Sequence, residues 1–316
     1  MNVSIIGAGR TRNGIGEYIG KYFHRHGGKV TSALGTTEKT SLQACSALRK
    51  YGIEAHPYID FDEMVRAERP EVVVIASPSS THYEYLLKSM DSGLHIFCEK
   101  PFIWDDHPDI LKTVGEIFKK AEEKKLTIAM NSQWSFAIND YEKICGKVRI
   151  KNRNAFYIKM APPLPGREMI PESVPHALSL LYCLLGEGEI EDLKFESGGV
   201  REMSTRLTYR FGTKACEVFI QLAYQETQPR DFSFGLNDRI VSRSLNLENY
   251  EIYFDYGNKR LQIVDPLESS IKNFMEAVTK KTRPFIGTRH IFHNLSLLKK
   301  IDDGFREFEK RNLWER

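Results

Sequence analysis

Between residues 3 and 130 of this 316-residue chain, short apolar runs alternate with amphipathic stretches of helical period, and no hairpin turn joins one run to the next. Residues 3–6 run into Gly7-Ala8-Gly9; residues 17–26 read as a helix, 29–34 as a second strand and 40–51 as a helix. Residues 71–76 are a β-branched strand of the fully buried kind, ending in Ser77-Pro78. A helix over 83–92, a strand containing Ile96-Phe97-Cys98, a helix over 110–125 and a strand over 127–130 complete the series. Such alternation builds a parallel sheet, because parallel neighbours need a crossover, and the crossover is right-handed. The fold class is therefore α/β, with a doubly wound parallel sheet at the N-terminus. Its strands end at Gly7, Gly35, Ser77, Glu99 and Asn131 along one edge, where open α/β sheets bind ligands.

Beyond residue 131 the pattern changes. Residues 153–160, 203–211, 215–222, 251–256 and 260–264 are short strands, and turns at Gly212 and Gly257 join neighbours as antiparallel hairpins. A run of strands after an alternating half predicts a second, α+β domain on a mainly antiparallel sheet. The boundaries expected are 1–130 for a dinucleotide-binding domain and 131–316 for a substrate-binding and oligomerisation domain. Helices over 267–280 and 288–311 finish the chain, the first expected to pack on the strands. Residues 161–167 are too proline-rich for regular structure, and the segment after them is a helix whose start is marked by Pro175 and whose stop is Gly186. His176 and Ser179 interrupt its apolar run three residues apart, on one face.

Chemistry concentrates at the sheet edge. A strand, a glycine turn and a helix, here with Gly7, Gly9, Gly14 and Gly16, present backbone N–H groups and a helix N-terminus to a pyrophosphate. The spacing departs from the standard fingerprint, since residues 10–13 intervene before Gly14. After the second strand stand Thr36, Thr37, Glu38 and Lys39, with no acid directly at the strand end. Small hydroxylated and basic residues suit a 2′-phosphate, so NADP(H) is favoured and Glu38 keeps NAD(H) as the alternative. Arg10 and Arg12 either neutralise phosphate or are exposed loop residues. Lys100, where an apolar strand leaves the sheet, puts an ammonium over the ligand crevice.

Gly7-Ala8-Gly9, Ser79-Ser80-Thr81-His82, the segment Gly93 to Pro101 with Glu99-Lys100-Pro101, and His176 followed by Leu184-Leu185-Gly186 occur in one order along the chain. Together they resemble the glucose–fructose oxidoreductase and inositol dehydrogenase (Gfo/Idh/MocA) family, with Glu99-Lys100-Pro101 as the most specific element. The resemblance implies an N-terminal Rossmann domain and a C-terminal domain with an open-faced sheet that forms a homo-dimer or homo-tetramer. It also implies Lys100 and His176 as the catalytic pair. Ser77, Pro78, His82 and Glu99 join the glycines on the cofactor side, with Gln133, Trp134, Glu172 and Ser179 on the substrate side. Many members carry an aspartate where Ser179 stands and an arginine where Gln133 stands. Both departures point to a less charged pocket and away from the family's commonest polyols. Trp134 and Tyr157 either stack on a ring or are core and sheet aromatics, the second being favoured.

The two roles follow from acid–base chemistry. Oxidising an alcohol removes a hydroxyl proton as hydride leaves the same carbon, and reducing a carbonyl needs a donor at the developing oxyanion. Histidine, with an ordinary pKa near 6.5, exchanges protons at neutral pH far better than lysine near 10.4. His176 is thus the general acid/base and Lys100 the orienting, polarising group. The expected function is NAD(P)-dependent hydride transfer to or from a small sugar-derived or cyclic alcohol, carbonyl or imine. The alternative is a non-catalytic NAD(P)-binding regulator of the same fold.

Bulk properties fit such an enzyme. A net charge of +3 from 45 basic and 42 acidic residues, with no concentrated basic tract, indicates neither nucleic acid nor membrane. No metal-ligand spacing occurs, and five widely separated cysteines read as reduced thiols, which with no visible signal peptide predicts a cytoplasmic protein. His24, His26, His56, His107, His290 and His293 read as surface or capping residues.

Overall fold

A computed structural model of the chain describes residues 1–9, 14–104 and 109–314, with the backbone alone at 312–314. It divides into two compact units, Met1–Ser132 with Leu267–Phe292, and Gln133–Pro266 with His293–Arg316.

The first unit holds strands β1 (Asn2–Ile6), β2 (Lys29–Leu34), β3 (His56–Tyr58), β4 (Val72–Ile75), β5 (His95–Glu99) and β6 (Ile128–Asn131). They are parallel, in the order β3-β2-β1-β4-β5-β6. Helices α1 (Gly16–Arg25), α2 (Glu38–Arg49), α3 (Phe61–Glu68), α4 (His82–Asp91) and α5 (Ile110–Glu123) make the crossovers. The chain returns from β3 to a strand on the far side of β1, so the order reverses between β1 and β4. That reversal opens the crevice in which doubly wound sheets seat their ligands. β3 and α3 are additions to the sequence reading: three residues containing Pro57 are too few to register as a strand. The Asp60 carboxylate caps α3 by accepting from the Glu63 N–H at 2.7 Å.

The second unit begins with α6 (Ile138–Cys145), β7 (Arg153–Met160) and α7 (Met169–Leu185). β8 (Glu189–Ser197), β9 (Glu202–Phe211), β10 (Lys214–Ala223) and β11 (Phe232–Leu236) follow, then β12 (Arg239–Asn246), β13 (Glu251–Tyr256) and β14 (Lys259–Ile263). The sheet order is β14-β13-β12-β11-β7-β10-β9-β8, antiparallel except for the parallel pair β7 and β10. Phe156, Ile158 and Met160 on β7 and Val218, Ile220 and Leu222 on β10 are buried on one face, and α7 packs against both strands. The alternate residues Ala155, Tyr157, Glu217 and Phe219 are half-buried or exposed, so the other face is open.

Two expectations are corrected here. Pro175 does not start α7; the helix begins six residues earlier, at Met169, and Pro175 lies inside it. An internal proline costs about 3 kcal/mol, but Ile170, Val174, Leu178, Leu180 and Leu181 around it are all buried, and their burial outweighs that cost. Nor do all residues after 130 form the second domain. α8 (Pro266–Lys280) places Leu267, Ile271, Phe274 and Met275 in the first unit's core, with Phe274 5.3 Å from Phe97 and 6.2 Å from Phe23 between ring centroids. A helix with this apolar stripe belongs to whichever core its side chains complete, and chain position does not decide that. The last helix, α9, spans Thr288–Trp314.

Candidate functional site

The carboxyl edge of the first sheet is built on close backbone approach. Gly7 has φ +85°, and a Cβ on it would lie 2.6 Å from the Ser77 nitrogen and 2.7 Å from the Ala76 carbonyl carbon. A Cβ on Gly16 would lie 2.6 Å from the Gly7 oxygen and 2.8 Å from the Ala8 Cα. Only glycine lets β1, the start of α1 and the end of β4 meet this closely. Among the described residues no side chain caps α1, whose N-cap is Ile15. Its first N–H groups and the positive end of its dipole therefore fit a phosphate. Arg10 and Arg12 lie outside the described residues; Gly9 and Gly14 flank that gap, half-buried.

At the end of β2, Thr36, Glu38 and Lys39 are exposed. Thr37, also exposed, is already committed: its hydroxyl accepts from the Thr40 N–H at 3.2 Å and its own N–H donates to Thr40 Oγ1 at 3.0 Å. This capping box starts α2 and leaves Thr36 and Lys39 as the groups available to a ribose phosphate.

Residues after β4 and β5 divide into edge and support. Ser77 Oγ lies 2.7 Å from Thr81 Oγ1, which donates to the Pro78 carbonyl at 2.8 Å. His82, expected on the cofactor, is 1 % exposed instead. Its Nε2 meets the Ser77 carbonyl at 2.9 Å and its Nδ1 the Pro101 carbonyl at 3.0 Å. Burial pushes its pKa down, against the pull of these carbonyls. The ring thus braces the end of β4 against the turn that carries Lys100. Glu99 is likewise engaged within the sheet, accepting from Asn131 Nδ2 at 2.6 Å across the β5–β6 pair. Lys100 is half-buried, one residue past β5, and Cys98 behind it is fully buried.

In the second unit α7 presents Glu172 and His176, one turn apart and half-buried, on one face. Ser179 does not share that role: it is fully buried and accepts from Asn294 Nδ2 at 2.9 Å. Gln133 and Trp134 sit in a short turn of 3₁₀ helix, Gln133–Ala137. Trp134 is 6 % exposed, with its ring stacked on Phe232 at 4.0 Å, so it is a core aromatic that walls the region. Tyr157 is a sheet aromatic beside Phe219, 6.0 Å between centroids.

Sequence reasoning missed Arg230 and Arg243. Arg230 immediately precedes Asp231 and β11, and Arg243 lies on β12 over the Trp134 ring at 5.5 Å. Both are half-buried, burial pushes the pKa of each down, and Glu172 is the leading charge that opposes this for Arg230. β11 and β12 were not recognised as strands, so nothing in the sequence brought these arginines together.

Other side chains are structural. His290 and His293 are buried, contrary to expectation, and His293 Nε2 lies 2.8 Å from the Gly188 carbonyl. His107 is outside the described residues. All five cysteines are free. Among the described residues no cluster suits a metal ion, and no helix is long and apolar enough to cross a membrane.

A parallel sheet of this order, with a glycine turn between its first strand and first helix, defines the doubly wound α/β class, the class whose crevice seats dinucleotides. Residues 1–132 match the family described as "Oxidoreductase family, NAD-binding Rossmann fold". Among similar proteins, D-glucoside 3-dehydrogenase of Escherichia coli is 32 % identical over 101 residues, 32 % of this chain and 27 % of that protein. Inositol 2-dehydrogenase of Salmonella paratyphi B is 34 % identical over 59 residues, 19 % of this chain and 18 % of that one. The chain thus spans about a fifth to a quarter of the length of these curated relatives. Over the whole fold, UDP-N-acetylglucosamine 3-dehydrogenase of Acidithiobacillus ferrooxidans superposes with a TM-score of 0.69 at 16 % identity, covering 96 % of both chains.

Proposed function

We propose that this protein is an NAD(P)-dependent oxidoreductase acting on a small sugar-derived or cyclic alcohol, carbonyl or imine. The observation that carries the reading is Lys100, half-buried just past the carboxyl end of β5, on the sheet edge where Gly7 and Gly16 make room for a pyrophosphate. The sugar and polyol dehydrogenases to which part of the chain is similar support the substrate class. When bound, the nicotinamide supplies or accepts the hydride.

The chain's own residues handle everything else. Lys100 donates a hydrogen bond to the substrate oxygen, orienting it and offsetting negative charge as it develops. His176 exchanges the proton on that oxygen. Gly7, Gly16 and the start of α1 hold the pyrophosphate, while Thr36 and Lys39 favour the 2′-phosphate of NADP(H) over NAD(H). We further propose that the protein works in the cytoplasm as a homo-dimer or homo-tetramer.

The test begins with nicotinamide fluorescence on titration of NADPH and NADH, followed by a screen of carbonyl compounds with the preferred cofactor. K100A and H176A should bind NADPH as the parent protein does and lose turnover by about a hundredfold or more. Unaltered turnover in both variants removes these assignments, and binding of neither cofactor removes the oxidoreductase reading.

A further inference from the structure

Arg230 and Arg243 are unusual because they are side by side, half-buried, and incompletely paired. The Nε atoms of both are buried and have no hydrogen-bond partner among the described residues. Arg243 donates from Nη2 to the Arg230 main-chain carbonyl, which satisfies one N–H of its five and brings the two residues together. Among the described residues neither guanidinium forms an ion pair, and the nearby Asp231 is held by Lys159 at 2.9 Å. The groups that act on them electrostatically are Glu172 and Tyr250 on Arg230, and Tyr250, Arg230, Asp231 and Asp265 on Arg243, where Arg230 alone opposes the charge. The flat face of Arg243 rests over Trp134, itself stacked on Phe232, which fixes the plane of the fork.

Two like charges withdrawn from water are costly unless a counter-charge meets them. Guanidinium groups with open N–H donors and a fixed plane match the oxygens of a carboxylate or phosphate. Glu172, the carboxylate that acts on Arg230, is one helical turn from His176 on the same face of α7. An anion held by the arginines therefore lies on the side of α7 from which His176 works.

We infer that Arg230 and Arg243 form an anion-binding subsite, so that the substrate carries a carboxylate or phosphate group in addition to the alcohol or carbonyl that reacts. The inference rests on the oxidoreductase reading for the identity of the reacting group, but the subsite itself is testable without turnover. It departs from the expectation of a less charged pocket drawn from Ser179 and Gln133.

The first measurement follows the arginine Nε–H signals of the full-length ¹⁵N-labelled protein, assigned with R230Q and R243Q, on titration with inorganic phosphate and, separately, acetate. Saturable shifts of both signals, with half-saturation at about 10 mM or below, are expected for at least one of the two. No shift of either signal with either anion overturns the subsite, whatever the protein turns over. The second measurement compares glucuronate and glucose 6-phosphate with glucose as substrates. At least one acidic sugar should exceed glucose in kcat/KM by about thirtyfold, and the one that does tells carboxylate from phosphate. R230Q and R243Q should lower that ratio about tenfold, mainly through KM, and R243K less, because it keeps the charge and loses the fork. Glucose used as well as either acidic sugar, at a ratio that R230Q and R243Q leave unmoved, overturns the inference and leaves the oxidoreductase reading standing. Thermal melts of each variant separate loss of the subsite from loss of the fold.

Discussion

Asn294 Nδ2 donates to Ser179 Oγ at 2.9 Å and to the Pro175 carbonyl at 2.8 Å, and all three residues are buried. The contact anchors α9 to the turn of α7 that follows its internal proline. Ser179 is therefore a hydrogen-bond partner within the second unit. S179A should lower stability by about 1 kcal/mol, and N294A by about 1–3 kcal/mol because it removes both of these buried hydrogen bonds. Denaturant unfolding measures both. S179A should change kcat/KM less than threefold, and a tenfold loss would show that the serine reaches the substrate.

Phe274 carries the placement of α8. It is fully buried and meets Phe97 and Phe23 at 5.3 and 6.2 Å between ring centroids. F274A should cost about 3–5 kcal/mol, since a large ring leaves a cavity that the surrounding strands cannot close. The loss should register in nucleotide binding as the first unit loosens. A cost under about 1 kcal/mol would mean that α8 is dispensable to that core.

Gly16 is the sharper test of the phosphate turn. A Cβ there would lie 2.6 Å from the Gly7 oxygen, a backbone atom that can move only by displacing β1 or α1. G16A should weaken NADPH binding by about a hundredfold, with about 1–3 kcal/mol of lost stability. Unchanged affinity in the fluorescence titration would mean that the turn does not hold the phosphates.

The first sheet was legible because five of its strands are apolar runs bounded by glycine or polar residues, so periodicity alone located them. β3 was not, being three residues long with Pro57 at its centre. In the second unit β8 was hidden by polarity: of residues Glu189–Ser197 only Ile190 is buried. Arg230 precedes β11 and Arg243 lies on β12, and with neither strand recognised the two arginines were not singled out. His82 and Ser179 were noticed for their chemistry, but burial gave both to the framework. Lys100 could be placed from sequence because the end of a parallel strand fixes its position; which residues surround His176 depends on tertiary packing.

On the proposed function, cofactor choice turns on Lys39 and Thr36, because Thr37 is occupied by the capping box of α2. NADPH should bind about tenfold more tightly than NADH, a difference of about 1.4 kcal/mol. K39A should reduce that preference by more than half, and T36D should reverse it by offering a carboxylate to the ribose hydroxyls. A preference for NADH in the parent protein would assign the ribose to Glu38.

His95 gives a pH dependence whose sign is fixed by geometry. Its Nδ1 accepts from the Thr127 N–H at 2.9 Å, which requires a lone pair there, and burial pushes its pKa below the ordinary value, against Glu71. The unfolded chain, with a histidine pKa near 6.5, binds this proton more readily than the folded one. The contribution of His95 to stability is therefore complete above about pH 6.5 and is lost as pH falls from there toward the folded-state pKa, at no more than about 1.4 kcal/mol per pH unit. Urea unfolding of the parent and H95N between pH 5 and 8 should give a stability difference that is constant above about 6.5 and shrinks below it. A difference that grows on acidification would mean that the folded state holds His95 protonated.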